Sequence, residues 1–334
     1  MMNCAVIGYG HIGRRHVSVF EQHPGCHLEA ICEIRDVTNL PDVPAYNDID
    51  TMMGNHHLDI VSICTPNGLH ASQTIRALEQ GAHVICEKPF ALTSEDAQQM
   101  VKMAASRERH LICVLQNRYS PPVQWLKSIL DQGLLGQLYQ AQINCFWNRD
   151  DRYYLTESGQ PHPWHGTRDM DGGPLFTQFS HFVDIMVWML GEITVEHAQF
   201  KNFAHPQLSF EDAGTFTFSW NGGGMGVFHY STAVWDANQE SSITLIGSRG
   251  SVRIGGQYMN RIEYCHIKDS AQPDLPPVAG ANEYGGYRGS ANNHFCVINN
   301  MVETVMGKSG PDFDVRDAVN GVGVIEQVYR HRNE

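Results

Sequence analysis

The chain has 334 residues, enough for two domains of ordinary size, and 42% of them are hydrophobic, as expected for a globular core. The formal net charge of −13, from 23 basic and 36 acidic residues, argues against nucleic acid or an anionic membrane as a main partner. No signal peptide or membrane-spanning run is evident, and the nine cysteines contain no C-x-x-C pair, so we expect a cytoplasmic protein with reduced thiols.

The first third of the chain alternates short apolar strands with helical stretches. The predicted strands cover residues 3–8, 28–33, 59–65, 83–88 and 110–116. They are almost continuously apolar, which is typical of parallel strands that are covered on both faces. One predicted helix, residues 68–81, places Ile75 and Leu78 on a single face and ends at Gly81. This alternation predicts a parallel, doubly wound sheet in a domain that covers residues 1–117.

The remainder, residues 118–334, has a different pattern. After a helix at 121–133, the segment 138–148 alternates apolar and polar residues, as expected for a strand with one buried face. Further strands are predicted at 215–220 and 226–231, with a hairpin at 242–256; a long apolar helix is predicted at 172–192, a loop at 269–293 and a helix at the C-terminus. We expect an α/β domain with an open, mainly antiparallel sheet, whose C-terminal helix is free to pack back against the first domain.

The most informative early stretch is "AVIGYGHIGRRHVSVF", residues 5–20. It places three glycines, Gly8, Gly10 and Gly13, between a predicted strand and a predicted helix, and Glu33 follows at the end of the next strand. This combination is the dinucleotide-binding fingerprint, in which the helix N-terminus faces the pyrophosphate and the acidic residue binds the ribose hydroxyls.

Glu33 favours NAD over NADP, although Arg35 lies close enough in sequence to partner a phosphate. A 2′-phosphate about 4 Å from the carboxylate would cost about 4 kcal/mol at an effective dielectric constant near 20.

Two further motifs lie where predicted strands end. "VICEKPF" (84–90) places Lys88 at the carboxyl edge of the sheet, where α/β proteins bind ligands, and "TPNGLH" (65–70) follows the preceding strand. Taken alone, a lysine at a strand end is usually solvated. The glycine fingerprint and the second motif together favour a functional role for Lys88.

The chain resembles the Gfo/Idh/MocA oxidoreductases in four segments, which are "GYGHIG", "CTPNGLHA", "CEKP" and "GGPLFTQFSHFVDIM". The resemblance implies an N-terminal Rossmann domain and a C-terminal domain whose exposed sheet face mediates assembly into a homodimer or homotetramer. It also implies that Lys88 lies beside the nicotinamide ribose and the reacting hydroxyl, and that His181 faces the substrate as the second catalytic residue.

The resemblance further implies two sets of binding residues. For NAD the set is Gly8, Gly10, His11, Ile12, Gly13, Glu33, Thr65, Pro66, Asn67, His70, Glu87, Lys88 and Gln116. For the substrate the set is Lys88, Asn117, Arg118, Arg168, Thr177, Gln178, His181 and Tyr284. No metal is expected, because the histidine pairs lack the spacing of metal ligands.

Within the family, "QNRYSP", "NCFWNRDDRYY", "WHGTRDMDGG" and "QFSHFVD" are similar to the UDP-N-acetylglucosaminuronate 3-dehydrogenase group. That group oxidises C3 of a nucleotide sugar in bacterial surface-polysaccharide biosynthesis. Two positions depart from the expected patterns: Thr177 stands where an aspartate is common in the family, and His165 replaces an arginine of the group. The alternatives are a dehydrogenase of another sugar or cyclitol, and a non-catalytic NAD-sensing protein.

The chemistry favours His181 as the base, because its reference pKa of about 6.5 is closer to neutral pH than the value of about 10.4 for lysine. Lys88 would then hold the alkoxide, and the roles reverse if burial lowers the pKa of Lys88. Asp184, on the same predicted helix face as His181, either orients that residue or is a buried polar group with its own partner. The donors considered for a diphosphate and a carboxylate are Arg118, Arg149, Arg152 and Arg168, with Tyr153, Tyr154, Tyr284 and Tyr287.

Overall fold

The computed structural model describes residues 1–156, 158–283 and 287–333. It divides into two units: the first is Met1–Val114 with His294–Val322, and the second is Leu115–Asn293 with Gly323–Glu334. Compared with the predicted domains 1–117 and 118–334, the observed boundary follows Val114. The C-terminal segment His294–Val322 is part of the first unit.

The described residues form ten α-helices and fifteen strands. The helices are α1 (His11–Gln22), α2 (Ile49–Asn55), α3 (His70–Glu79), α4 (Ser94–Ser106), α5 (Pro121–Asp131), α6 (Asp151–Tyr154), α7 (Pro174–Thr177), α8 (Ser180–Leu190), α9 (His294–Val305) and α10 (Val315–Arg330). The strands are β1 (Met2–Ile7), β2 (Cys26–Cys32), β3 (Ala45–Tyr46), β4 (Ile60–Ile63), β5 (His83–Cys86), β6 (Leu111–Cys113), β7 (Leu138–Phe146), β8 (Ile193–Lys201), β9 (Ala213–Trp220), β10 (Met225–Ser231), β11 (Glu240–Gly247), β12 (Gly250–Gly255), β13 (Arg261–Ile267), β14 (Ala281–Glu283) and β15 (Arg288–Ala291).

The first unit contains a six-stranded sheet in the order β3-β2-β1-β4-β5-β6, and all of its pairs are parallel. Every residue of β4 is buried, as are the last three residues of β5. The apolar runs in the sequence are therefore strands covered on both faces, as predicted. The strand order reverses at β1 and β4, and this switch point is where doubly wound sheets bind nucleotides.

The second unit contains a seven-stranded sheet in the order β13-β12-β11-β7-β10-β9-β8. Only the β7–β10 pair is parallel. One face is buried under the apolar helix α8, with the Trp147 and Phe182 ring centroids 5.6 Å apart. These two sheets confirm the predicted α/β class, with a parallel Rossmann sheet followed by a mainly antiparallel one.

The prediction of one long helix at 172–192 was wrong, because the structure has two helices, α7 and α8. The chain leaves helical geometry at Phe179 (φ −111°, ψ 3°), whose ring is buried against Trp147 and Tyr230. The apolar pattern of the sequence continues through this residue, so periodicity does not reveal the break. The predicted loop at 269–293 also contains a short antiparallel pair, β14 and β15, in which the Asn282 side chain donates to the Ala291 carbonyl.

Candidate functional site

The glycine turn after β1 has the geometry that the fingerprint predicts. Gly8 has φ +90°, and a Cβ there would lie 2.6 Å from the backbone oxygen of Cys64. A Cβ at Gly13 would collide with the Gly8 carbonyl oxygen. Helix α1 begins at His11 with no side-chain cap on its N-terminal N–H groups. The turn and the uncapped helix end therefore fit a bound pyrophosphate, with His11 and Ile12 in the first helical turn.

Glu33 lies directly after β2, and its side chain is largely buried. Its carboxylate accepts hydrogen bonds from the backbone N–H of Tyr9 (2.8 Å) and from the backbone N–H and guanidinium of Arg35 (2.7–3.0 Å). Burial opposes ionisation, but these hydrogen bonds outweigh it and lower the pKa of Glu33 to about 2. The carboxylate is therefore ionised at neutral pH, and Arg35 is paired with it.

The turn after β4 carries Thr65, Pro66, Asn67 and His70, of which Asn67 and His70 are buried. The His70 ring lies between two carbonyl oxygens, with Nδ1 2.7 Å from Pro89 O and Nε2 3.0 Å from Thr65 O. Burial lowers the pKa of His70. His70 thus connects the turns that follow β4 and β5.

The turn after β5 presents Lys88, a half-buried residue followed by a cis peptide bond to Pro89. The carboxylate of the preceding residue, Glu87, points into the first unit. Its Oε2 accepts from the Lys88 backbone N–H (3.0 Å), and its Oε1 lies 3.1 Å from His16 Nε2. A cofactor contact by Glu87 would therefore have to use its backbone.

Sequence reasoning missed His16 and His294, which meet at this carboxylate; His294 Nε2 lies 3.5 Å from Glu87 Oε1. Among the described residues, His16, Glu87 and His294 form one group whose potential metal-ligand atoms lie within 4.8 Å of one another. His16 follows the fingerprint by one helical turn, which could have drawn attention to it. His294 is too distant in sequence to give a comparable signal.

In the second unit, Gln116 and His181 are both buried and come together. The Gln116 Nε2 and His181 Nε2 atoms are 3.1 Å apart. As the amide is oriented, Gln116 donates to this ring nitrogen, which corresponds to the tautomer protonated at Nδ1. Gln116, predicted to bind cofactor, is thus a direct neighbour of the predicted catalytic histidine.

Arg118 is fully buried, and its guanidinium donates to both carboxylate oxygens of Asp184 at 2.6 and 2.8 Å. This ion pair answers the question that the sequence left open for Asp184, because the carboxylate binds Arg118. The ion pair holds Arg118 against helix α8, and its proposed contact with the substrate stays a prediction. Asn117, the preceding residue, accepts from the Ser290 hydroxyl at 2.6 Å.

Thr177 and Gln178, at the end of α7, are also buried. The Thr177 hydroxyl donates to the backbone oxygen of Asp171 at 2.7 Å and also contacts its carboxylate. The Gln178 Oε1 atom accepts from Arg149 Nε at 2.7 Å. Asp171 is therefore in contact with Thr177, the position at which an aspartate is common in the family.

Arg168 is separate from the residues above. It is exposed, its Nε donates to the Ser209 carbonyl (2.9 Å), and it borders an open cavity of about 1560 Å³ in the second unit. Lys201 and Arg332 also line that cavity, whereas the other second-unit residues predicted to bind substrate do not. The remaining prediction, Tyr284, lies outside the described residues.

Another arginine of the second unit, Arg149, is buried and contacts aromatic rings. Its guanidinium carbon lies 4.9 Å from the ring centroid of Trp147 and 4.8 Å from that of Tyr287.

Across the described ranges, no helix has both the length and the apolar character needed to cross a bilayer.

Comparison with known proteins agrees with this architecture. Residues 2–114 match the oxidoreductase family with an NAD-binding Rossmann fold, and residues 123–253 match the GFO/IDH/MocA C-terminal domain. The first match confirms NAD as the cofactor.

Two curated relatives are an uncharacterized oxidoreductase of Synechocystis sp. and the D-glucoside 3-dehydrogenase of Escherichia coli. They are 28% and 27% identical over 57% and 60% of this chain. The chain spans little more than half the length of these relatives, 52% and 58%.

A solved structure of the WlbA dehydrogenase from Bordetella pertussis, in complex with NADH and UDP-GlcNAcA, matches this chain with a TM-score of 0.85 and 27% identity. The match covers 100% of this chain and 97% of that one. Together with the two domain matches and the glycine turn, it leads to one conclusion: the chain belongs to the Gfo/Idh/MocA oxidoreductase family.

Proposed function

We propose that this protein is an NAD-dependent dehydrogenase that oxidises a secondary hydroxyl of a sugar, with C3 of UDP-N-acetylglucosaminuronic acid as the first candidate. The observation that carries this proposal is the full-length similarity to the WlbA dehydrogenase, whose structure contains NADH and UDP-GlcNAcA. The similarity to D-glucoside 3-dehydrogenase supports the coarser statement of a sugar dehydrogenase. A role in nucleotide-sugar biosynthesis in the bacterial cytoplasm follows from the first candidate.

In the proposed reaction, Lys88 and His181 act on the substrate hydroxyl. His181 removes the hydroxyl proton, and the Lys88 ammonium stabilises the oxygen as it gains negative charge. NAD⁺ bound by the first unit would supply the hydride acceptor for the carbon that bears this hydroxyl, so that the alcohol becomes a ketone and its proton passes to His181. Thr177 and Gln178 are proposed to contact the sugar, whereas Gly8, Gly10, Gly13 and Glu33 hold the dinucleotide.

Gln116 affects whether His181 Nε2 can accept the substrate proton. A neutral imidazole that accepts from the Gln116 amide at Nε2 carries its proton on Nδ1. For Nε2 to take the substrate proton, the amide must release this nitrogen when the substrate binds. We therefore place Gln116 beside the base, in addition to its proposed contact with the cofactor.

We also propose that the exposed face of the seven-stranded sheet joins subunits into a homodimer or homotetramer. Ile246 and Met225 lie on either side of Gln140 in the register, so the two side chains share one face. Both are exposed, by 38% and 65%. An apolar patch on an open sheet is the type of surface that a second copy covers.

The test of the proposed function is the reduction of NAD⁺, followed at 340 nm, with a panel of alcohols. The panel contains UDP-N-acetylglucosaminuronic acid, UDP-N-acetylglucosamine, glucosides, free sugars and inositol. The proposal predicts the highest kcat/KM for the UDP-sugar acid. Preference for a free sugar or a glucoside would retain the dehydrogenase and reject the nucleotide sugar, whereas tight NADH binding without turnover of any alcohol would favour a sensing role.

A further inference from the structure

Beneath the Lys88 turn, three buried side chains of the first unit form a polar cluster. Glu87 lies between His16 of α1 and His294 of α9, and the three side chains are at most 5% exposed. His16 Nδ1 is in turn 3.0 Å from the Ser62 hydroxyl of β4. The cluster therefore connects two helices and two neighbouring strands behind the residue to which we assign catalysis.

The Glu87 carboxylate is charged in this setting. Burial opposes ionisation, but the hydrogen bond with His16 and the adjacent His294 ring, 3.5 Å from Oε1, hold the pKa of Glu87 well below its usual range. A buried carboxylate is tolerated only when hydrogen bonds and opposite charge compensate its lost hydration. His16 and His294 supply this compensation, which fixes the position of the carboxylate.

A fixed carboxylate also fixes the backbone of the next residue, because Glu87 Oε2 accepts from the Lys88 N–H at 3.0 Å. On the other side of the turn, His70 Nδ1 lies 2.7 Å from the Pro89 carbonyl oxygen. Buried side chains therefore hold the peptide unit that precedes the Lys88 Cα and the carbonyl group of the next residue, Pro89. The direction in which the Lys88 side chain leaves the sheet is set by these contacts.

We propose that Glu87, held between His16 and His294, is a positioning residue that aims the Lys88 ammonium at the reacting oxygen. This inference rests on the proposed function, because it assumes that Lys88 contacts the substrate. It assigns a role to α9, a helix that follows residues Leu115–Asn293 of the second unit in sequence but belongs to the first unit. None of the three side chains needs to touch the cofactor or the sugar for this role.

The experiment compares Glu87→Gln, Glu87→Ala and His294→Leu in the full chain with UDP-N-acetylglucosaminuronic acid and NAD⁺. Because a misplacement of about 1 Å can cost about 100-fold in rate, we expect kcat to fall about tenfold for Gln and about 100-fold for Ala. Gln keeps an acceptor for the Lys88 N–H, whereas Ala removes it. KM and the NADH dissociation constant should stay within about threefold, because the proposed role of the ammonium is to stabilise charge that develops only during the reaction.

Two internal comparisons separate positioning from general destabilisation. Thr304→Val, a substitution of similar volume at another buried residue of α9, should leave kcat unchanged. The double variant Glu87→Gln/His294→Leu should be no slower than Glu87→Gln alone, because both changes disrupt one cluster. Additive losses, or equal losses in kcat and NADH affinity, would overturn the proposal.

Further outcomes distinguish this inference from the proposed function. If Lys88→Ala is inactive while Glu87→Gln and Glu87→Ala are fully active, the positioning role fails and the catalytic assignment stands. If the wild-type protein turns over no alcohol, hydrogen exchange at the Lys88 amide decides: Glu87→Ala must accelerate it selectively, and unchanged protection rejects the inference. One equivalent of zinc in the purified protein would also reject it, because His and carboxylate ligands suit that ion.

Discussion

The two units differ in how far apart in sequence their functional residues lie. In the first unit, Gly8, Glu33 and Lys88 each follow the end of a parallel strand, so the sheet brings them to one edge. In the second unit, buried pairs join distant residues: Arg118 to Asp184, 66 residues apart, and Asn117 to Ser290, 173 residues apart. The first-unit residues that are predicted to bind cofactor can therefore be identified from short motifs, whereas the buried partners of the second-unit residues could not be identified in this way.

The variants with the largest expected effect test whether both units contribute catalytic residues. Lys88→Ala and His181→Ala should each lower kcat by about 100- to 10,000-fold, because each removes a group that acts on the transferred proton or the developing charge. NADH affinity, measured by fluorescence titration, should change little. Lys102→Ala, which removes an exposed lysine of the first unit, is the control. Full activity in either main variant removes that residue from the mechanism.

The next effect tests the long-range packing of the second unit. Arg118→Met leaves the Asp184 carboxylate buried without its bidentate partner and should lower the free energy of unfolding by about 3–5 kcal/mol. Urea denaturation measures the change, and Arg118→Met/Asp184→Leu should recover most of it. A loss below about 1 kcal/mol would show that the pair contributes little to stability.

A smaller effect, on cofactor preference, is expected from a substitution of Glu33, the acidic residue of the dinucleotide-binding fingerprint. Glu33→Gln should shift the ratio of kcat/KM for NAD⁺ to that for NADP⁺ towards NADP⁺ by at least about tenfold, or about 1.4 kcal/mol. The substitution removes a charge that repels the 2′-phosphate and frees Arg35 to bind it. An unchanged ratio would mean that another residue selects the cofactor.

The same carboxylate predicts how cofactor preference depends on pH. The pKa of Glu33 is lowered to about 2, so in the folded protein its charge and its ion pair are lost only as the pH falls towards 2. The stability that they contribute is complete above the unfolded pKa of about 4.3. Cofactor preference in the wild-type protein should therefore be constant between pH 7.5 and 9, a range that lies above the second pKa of the 2′-phosphate, about 6. A transition within that range would contradict the ion pair.

The smallest expected effect on the folded subunit concerns the exposed sheet face. Met225→Lys combined with Ile246→Lys should dissociate the proposed oligomer, measured by light scattering after size exclusion, with a change in subunit stability of only about 0.5 kcal/mol per site. Tyr139→Lys is the control, because Tyr139 is exposed but alternates with Gln140 to the other side of β7. A wild-type monomer at micromolar concentration would reject the interface.

Much of the fold could be predicted from periodicity and strand-end motifs, and particular residues show where this approach stops. Gly8 was identified because a positive φ between a strand and a helix requires glycine. The break at Phe179 was missed because the apolar pattern of the sequence continues through it. The position of Arg118 near a motif predicts a substrate contact, but it does not reveal that the buried carboxylate of Asp184 binds the guanidinium.

The sequence by itself determined the parallel sheet, the glycine turn, the acidic residue that favours NAD and the placement of Lys88 at a strand end. These features depend on backbone geometry over a few residues, which local composition specifies. Only the tertiary structure decided that Glu87 faces His16 and His294, that Asp184 belongs to Arg118 and that Gln116 lies against His181. Such pairs arise because buried polar groups must find partners, and folding brings those partners from anywhere in the chain.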